Sequence, residues 1–167
     1  MAEKETIFSS KMKYKGIFSF QNFYKFCYNW VIDELDLDIN EDKYKETITG
    51  DSKEIEVKWT GKKDVTDFFQ VKIEFAFIAR ALTQIEIMQD NTKVKTNKGI
   101  IEVKIKGILV SDYKGKFELS AFKKFLRGIY EKWVISSRID QLKTKLANDC
   151  DDFLSQAKAY LDLEGKR

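Results

Sequence analysis

The chain has 167 residues, 43% hydrophobic, 14% aromatic and 34% charged, enough apolar material for one domain to offset its ordering entropy. Thirty Lys and Arg against 27 Asp and Glu leave a net charge of +3, without the strong positive field of a dedicated nucleic-acid binder. The absence of histidine removes the imidazole base of Ser–His and Cys–His catalysis and the commonest zinc ligand.

The first stretch, MAEKETIFSSKMKYK, lacks the apolar core of a signal peptide. No apolar run approaches the ~20 residues that span a bilayer. The expectation is a soluble, cytoplasmic protein with no membrane insertion. Residues 5–16, ETIFSSKMKYKG, predict a first strand closed by Gly16. Ser19 is a plausible N-cap for FQNFYKFCYNWVIDEL, where Phe20, Phe23, Tyr24, Cys27 and Val31 keep helical spacing. Phe26 and Trp30 widen that stripe, so the helix is covered on more than one side. LDLDINED then reads as an acidic connection.

From Tyr44 the period changes to two. YKETIT and EIEVKW flank GDSK as a hairpin, with Ile55, Val57 and Trp59 on one face. GKKDVTD predicts a loop. FFQVKIEFAFIARAL then alternates, with Phe69, Val71, Ile73, Phe75, Phe77 and Ala79 sharing a face. TQIEIMQ and IIEVKIKGILV predict two further strands, with a turn at Asp90-Asn91 and Val94 in a short strand between them. Glu and Lys alternate on the opposite face, as expected for an antiparallel sheet with one wet side.

After a turn-rich SDYKGKFE, Ser120 caps a predicted helix running towards residue 163. Its apolar seam takes Phe122, Phe125, Ile129 and Trp133, then Ile139, Leu142, Leu146, Cys150, Phe153, Ala157 and Leu161. The first half is expected to cover the sheet. Either the helix breaks near Gly128 or Ser136, or its second half, with no evident cover, protrudes as a helical extension over 140–167 of a single domain spanning 1–167. The fold class is α+β: a curved antiparallel sheet packed against a long C-terminal helix, with one aromatic-rich N-terminal helix.

This order of elements resembles the helix-grip arrangement of the START and pollen-allergen-like superfamily, in which a curved antiparallel sheet wraps around a long C-terminal helix. The resemblance covers about residues 5–140 and rests on element order. Those families carry two short helices after the first strand, where this chain has one long helix, and their last helix is shorter. The resemblance implies an apolar cavity between sheet and helix that takes lipids or other hydrophobic molecules.

Motifs for catalysis are missing: the chain has no GxxxxGK, no GxGxxG and no GxSxG. Asp149, Asp151 and Asp152 point in different directions around a helix and do not form a metal site. Cys27 and Cys150 are read as buried free thiols. The basic loop TKVKTNKG is an ordinary hairpin end. No catalytic residue, cofactor or metal site is predicted, and a non-catalytic binding or interaction protein is the leading expectation.

Three surfaces compete. An apolar pocket between sheet and helix, lined by Trp59, Phe75, Phe77, Phe125, Ile129 and Trp133, would hold an apolar small molecule, unless the same side chains fill it as core. An interaction seam of Ile139, Leu142, Leu146, Phe153 and Leu161 would serve a homodimer or another protein. RNA or the ribosome is the alternative partner, through Lys123, Lys124, Arg127, Lys132, Arg138, Lys143 and Lys145. The small net charge ranks nucleic acid behind the other two.

Overall fold

The computed structural model describes residues 3–115, 125, 128–129 and 136–165. Its elements run β1 (Glu3–Phe18), α1 (Phe20–Leu35), β2 (Asp38–Thr49), β3 (Ser52–Asp64), β4 (Phe69–Gln89), β5 (Thr92–Ser111) and α2 (Ser136–Gly165). The five strands form one antiparallel sheet in the order β1-β5-β4-β3-β2. β1 and β2 are therefore its two edges, and α1, which joins them, must cross one face of the sheet. The α+β class, the antiparallel sheet, the aromatic N-terminal helix and the C-terminal helix are as the sequence predicts.

The local signals explain α1 well. Ser19 has extended backbone and its Oγ accepts from the Asn22 N–H at 3.3 Å, satisfying one of the first-turn donors. Phe20, Phe23, Cys27, Val31 and Leu35 step by threes and fours and are buried. Asp36 then ends the helix with a left-handed φ of 52°.

On the covered face, Phe69, Ile73, Phe75, Phe77 and Ala79 of β4 meet Ile101, Val103, Ile105 and Leu109 of β5 and Ile55, Val57 and Trp59 of β3. α1 and α2 both pack on this face. Phe153 lies edge-on to Phe75 at 5.1 Å and against Trp30 at 5.8 Å, while Tyr160 stacks on Phe26 at 4.5 Å. Leu146, Cys150, Phe153, Leu154, Ala157 and Leu161 are all buried. Burial of a side chain the size of Phe153 stabilises by about 1.5–3 kcal/mol. The helix approaches β5 most closely at Gly107, where a Cβ would stand 2.9 Å from Cys150 Sγ.

This corrects the seam. Leu146, Phe153 and Leu161 are core residues of their own chain, and Ile139 and Leu142 pack against that core partly buried. The stretch 140–165 covers the sheet instead of protruding. Among the described residues, α1 and α2 together cover this face of the sheet, with Cys150 and Ala157 buried against it. Phe122 and Trp133 lie outside the described residues. Phe125 and Ile129 have helical backbone but are 64% and 39% exposed.

Other boundaries differ. GKKD of the predicted loop GKKDVTD ends β3, and Val94 lies within β5, which runs unbroken from Thr92. Of LDLDINED, Leu35 and Asp36 end α1 and DINED begins β2, an exposed edge strand with no alternating apolar residues to reveal it. TQIEIMQ is the last third of β4, a single 21-residue strand. The register shifts between Arg80 and Thr83, and Ala81 takes a left-handed φ of 52°. This bulge reverses the side-chain alternation, so the pattern reads as two strands. It packs against β5 at Gly99, where a Cβ would meet the carbonyl oxygens of Arg80 and Ala81 at 3.0 Å. Beyond it, Gln84 to Gln89 pair only with Thr92 to Asn97, a two-stranded ribbon turned at Asp90-Asn91.

Candidate ligand-binding groove

Three side chains bring the edge of the core to the surface. Tyr24 sits on α1 beside the buried stripe, and its ring meets Trp59 of β3 edge-to-face at 5.2 Å. Tyr44 of β2 pairs with Val57, a core position, so it stands on the helix-facing side of the edge strand. It meets Tyr24 at 6.3 Å and 81°. Glu41 pairs with Trp59 and Glu46 with Ile55, which places both carboxylates on the same side as Tyr44. Glu41 and Tyr44 are three residues apart and would normally face opposite ways. A bulge between Glu41 and Lys43 absorbs the extra residue and turns Asp42 outward, where its carboxylate accepts from Thr60 Oγ1.

Hydrogen bonds hold the carboxylates in place. The Tyr24 hydroxyl donates to Glu41 Oε1 at 3.2 Å and the Tyr44 hydroxyl to Glu46 Oε1 at 2.8 Å. Partial desolvation raises the half-exposed Tyr44 phenol from 10.0 to about 12, with Glu46 adding to the rise. Burial also raises Tyr24, against the opposing pull of the Trp59 indole and with Glu41 reinforcing it. Both phenols are therefore neutral donors at pH 7. The buried Trp59 Nε1–H lacks a hydrogen bond of ordinary geometry, although it lies beside Tyr24.

These residues line an open groove of about 740 Å³ between α1, the β2–β3 hairpin and the ribbon of β4–β5. Phe20 and Leu82 add apolar surface, while Lys25, Lys53, Gln84, Lys95 and Asn97 add polar groups. Asn97 Oδ1 accepts from the Phe20 N–H at 3.1 Å, tying the ribbon to the start of α1.

Trp59, Phe75 and Phe77 are brought together, with Trp59 4.7 Å from Phe77 and 5.8 Å from Phe75. They are buried among other rings in the core of the described residues. Phe125 and Ile129 are exposed instead of buried with them, and Trp133 lies outside the described residues. A slot of about 100 Å³ remains between sheet and α2, lined by Leu35, Leu37, Val71, Ile73, Leu142 and Leu146. That is smaller than the ~150 Å³ cavity known to admit benzene. Of the basic helix, Lys123, Lys124, Arg127 and Lys132 lie outside the described residues. Arg138 is exposed, Lys143 pairs with Glu5 at 3.0 Å and Lys145 with Asp149 at 3.1 Å.

The groove residues Glu41, Tyr44 and Glu46 escaped the sequence reading because an exposed edge strand gives no periodic signal. A Tyr between acidic residues on an otherwise polar strand was the one available hint. Among the described residues, no group of three or more Cys, Asp or Glu side chains is placed to hold a metal ion, and no helix is long and apolar enough to cross a membrane. No protein-family model, curated protein or solved structure matches the chain.

Proposed function

We propose that this protein is a non-catalytic binding protein whose ligand occupies the groove over Tyr24 and Tyr44. The observation that carries this reading is the pairing of two mutually perpendicular tyrosine rings with two carboxylates that their hydroxyls hold in place. Aromatic faces supply contact area at low conformational cost, and a few fixed polar groups orient a ligand. Glu41 and Glu46 retain acceptor capacity beyond the tyrosine bonds, while Lys25, Lys53, Gln84 and Asn97 supply donors. A lining of both kinds suits a small polar molecule with hydroxyl or amide groups and one apolar face. The helix-grip-like order of elements is in keeping with a binding role, and the burial of Trp59, Phe75 and Phe77 among other rings favours a site at the rim.

The test is a protein-observed NMR screen of polyols, amides and small aromatic alcohols against the folded protein. Binders should shift the signals of Tyr24, Tyr44 and Thr96. Tyr44→Ala should weaken them by about tenfold, and Tyr44→Phe by less, since the ring remains. A screen without binders, or binders indifferent to Tyr44→Ala, removes the reading.

A further inference from the structure

The sheet has a second concavity, on the face turned away from α1 and α2. Ala76 stands near its middle, directly opposite Lys58 of β3 on one side and Lys104 of β5 on the other. Lys104 is in turn opposite Lys11 of β1. Lys106, two residues along β5, lies on the same face and is opposite Ser9. Because alanine ends at Cβ while its neighbours are long, the row forms a basin of about 620 Å³, with Ala76 on its floor and Ser9 and Ser10 at its β1 end.

The charges around this basin are unbalanced. Lys11, Lys58, Lys104 and Lys106 line it against Asp42 and Glu74. Both carboxylates already have partners: Asp42 accepts from Asn40 and Thr60, and Glu74 lies 3.6 Å from Lys72. Lys58 and Lys104 pair with Glu56 and Glu102 at 3.8 and 3.3 Å, both lying along the strands outside the basin. Lys104 holds the Glu102 carboxyl below its ordinary range. Lys11 and Lys106 have no ion-pair partner among the described residues. Lys106 stands directly across from Glu74, and the four lysines along the rim leave the basin with more cations than carboxylates in its lining, a concavity in which field lines concentrate.

We infer that this basin binds a compact polyphosphate group, held by Lys11, Lys58, Lys104 and Lys106 over Ala76. Lysine ammoniums act as rotatable point charges and suit the several equivalent oxygens of a phosphate chain. Among the described residues, the aromatics along the basin are Trp59 and Phe75, which send their rings into the core on the other face. No base can stack there, so a nucleic-acid strand would lose the contact that usually anchors single-stranded binding. The phosphate chain is either free or the tail of a nucleotide; both present the same oxygens. The residues are distinct from those of the tyrosine groove, so the two assignments stand or fall separately.

The experiment is a titration of the intact chain with inorganic tripolyphosphate, followed by amide NMR at about 50 mM and about 300 mM salt. Saturable shifts centred on Ala76, Lys104 and Lys11, weakening as salt rises, are expected. Lys11→Ala with Lys106→Ala should weaken binding by about tenfold, whereas Lys158→Ala on the exposed side of α2 should leave it unchanged. Ala76→Glu should abolish it, and Lys11→Glu repeats that charge reversal at an exposed edge position if Ala76→Glu does not fold. ATP binding as tightly as tripolyphosphate identifies the tail as the recognised part, and ATP excluded from the site identifies the free chain. Unsaturable shifts spread over all lysines, or wild-type affinity in folded Ala76→Glu or Lys11→Glu, overturn the assignment. So does a single-stranded oligonucleotide that binds these amides more tightly than tripolyphosphate does.

Discussion

Gly107 shows how single residues set the distance between layers. It carries no left-handed constraint; it is glycine because Cys150 and Leu146 of α2 lie directly over it. Gly107→Ala forces the helix outward and should cost about 1–3 kcal/mol, measured by urea denaturation. Combining it with Cys150→Ala should recover part of that loss, since the clash is with Sγ; a strictly additive double variant would show the clash lies elsewhere. The two thiols also make stability depend on pH. Burial pushes Cys27 well up and Cys150 from 9.0 to about 12. Below the unfolded thiol value of about 8.5 that stabilisation is complete. As pH rises from about 9 towards 12 the unfolded chain releases protons that the folded chain keeps, so stability falls. Urea midpoints should decline through this window, by up to about 1.4 kcal/mol per pH unit for each thiol, and Cys150→Ala should flatten the decline. Midpoints unchanged up to pH 10.5 would contradict the burial of these groups. Cysteine burial was legible from residue type alone. The contact with Gly107 was not, because nothing in a glycine between two strand halves names what lies above it.

Among the elements, α1 was the most legible, since its cap, its stripe of threes and fours and its length agree with one another. β2 was the least legible. Of its twelve residues only Ile39 is even partly buried, so the edge strand leaves no apolar alternation to follow. β4 failed for the opposite reason: its alternation is strong on both sides of Ala81 but changes phase there. That bulge places a non-glycine residue at positive φ, so Ala81→Gly should stabilise the protein by about 0.5–1 kcal/mol. Beyond the pairing of Asn97 with Phe18, residues 85–89 and 92–96 of the ribbon pair only with each other, and Met88 at its far end is 63% exposed. Amides of residues 85–95 should exchange with solvent faster than those of Ile73 to Ala79 in the same strand. Equal protection along β4 would show the ribbon to be covered. Its inner end supplies Asn97 and Lys95 to the tyrosine groove, so a ligand there should slow exchange in the ribbon too.

At the scale of the whole molecule, the sequence showed that a sheet must be covered by a helix but not which helical segment does so. Both halves of the stretch from Ser120 to Leu161 carry the same spacing, and bulky Phe and Trp residues drew attention to the first. Leu146, Phe153 and Leu161 are wholly buried, so removing residues 140–167 uncovers β1 and β5. The truncated chain should lack a cooperative unfolding transition and bind a hydrophobic dye; a folded, soluble truncation would restore the view of this segment as an extension. The groove was hidden for a related reason. Tyr24, Tyr44, Glu41 and Glu46 come from a helix and an edge strand, and only the sheet order brings them side by side.

That order also imposes a timetable on biosynthesis. β1 leaves the ribosome well before its only hydrogen-bonding neighbour, since Glu3 pairs with Ser111 and Phe18 with Asn97. At about 5–20 residues per second the strand waits on the order of several seconds for β5, and longer for α2. Its lysines at positions 4, 11, 13 and 15 place charge along the waiting edge, and charged edges resist pairing with the strands of neighbouring chains.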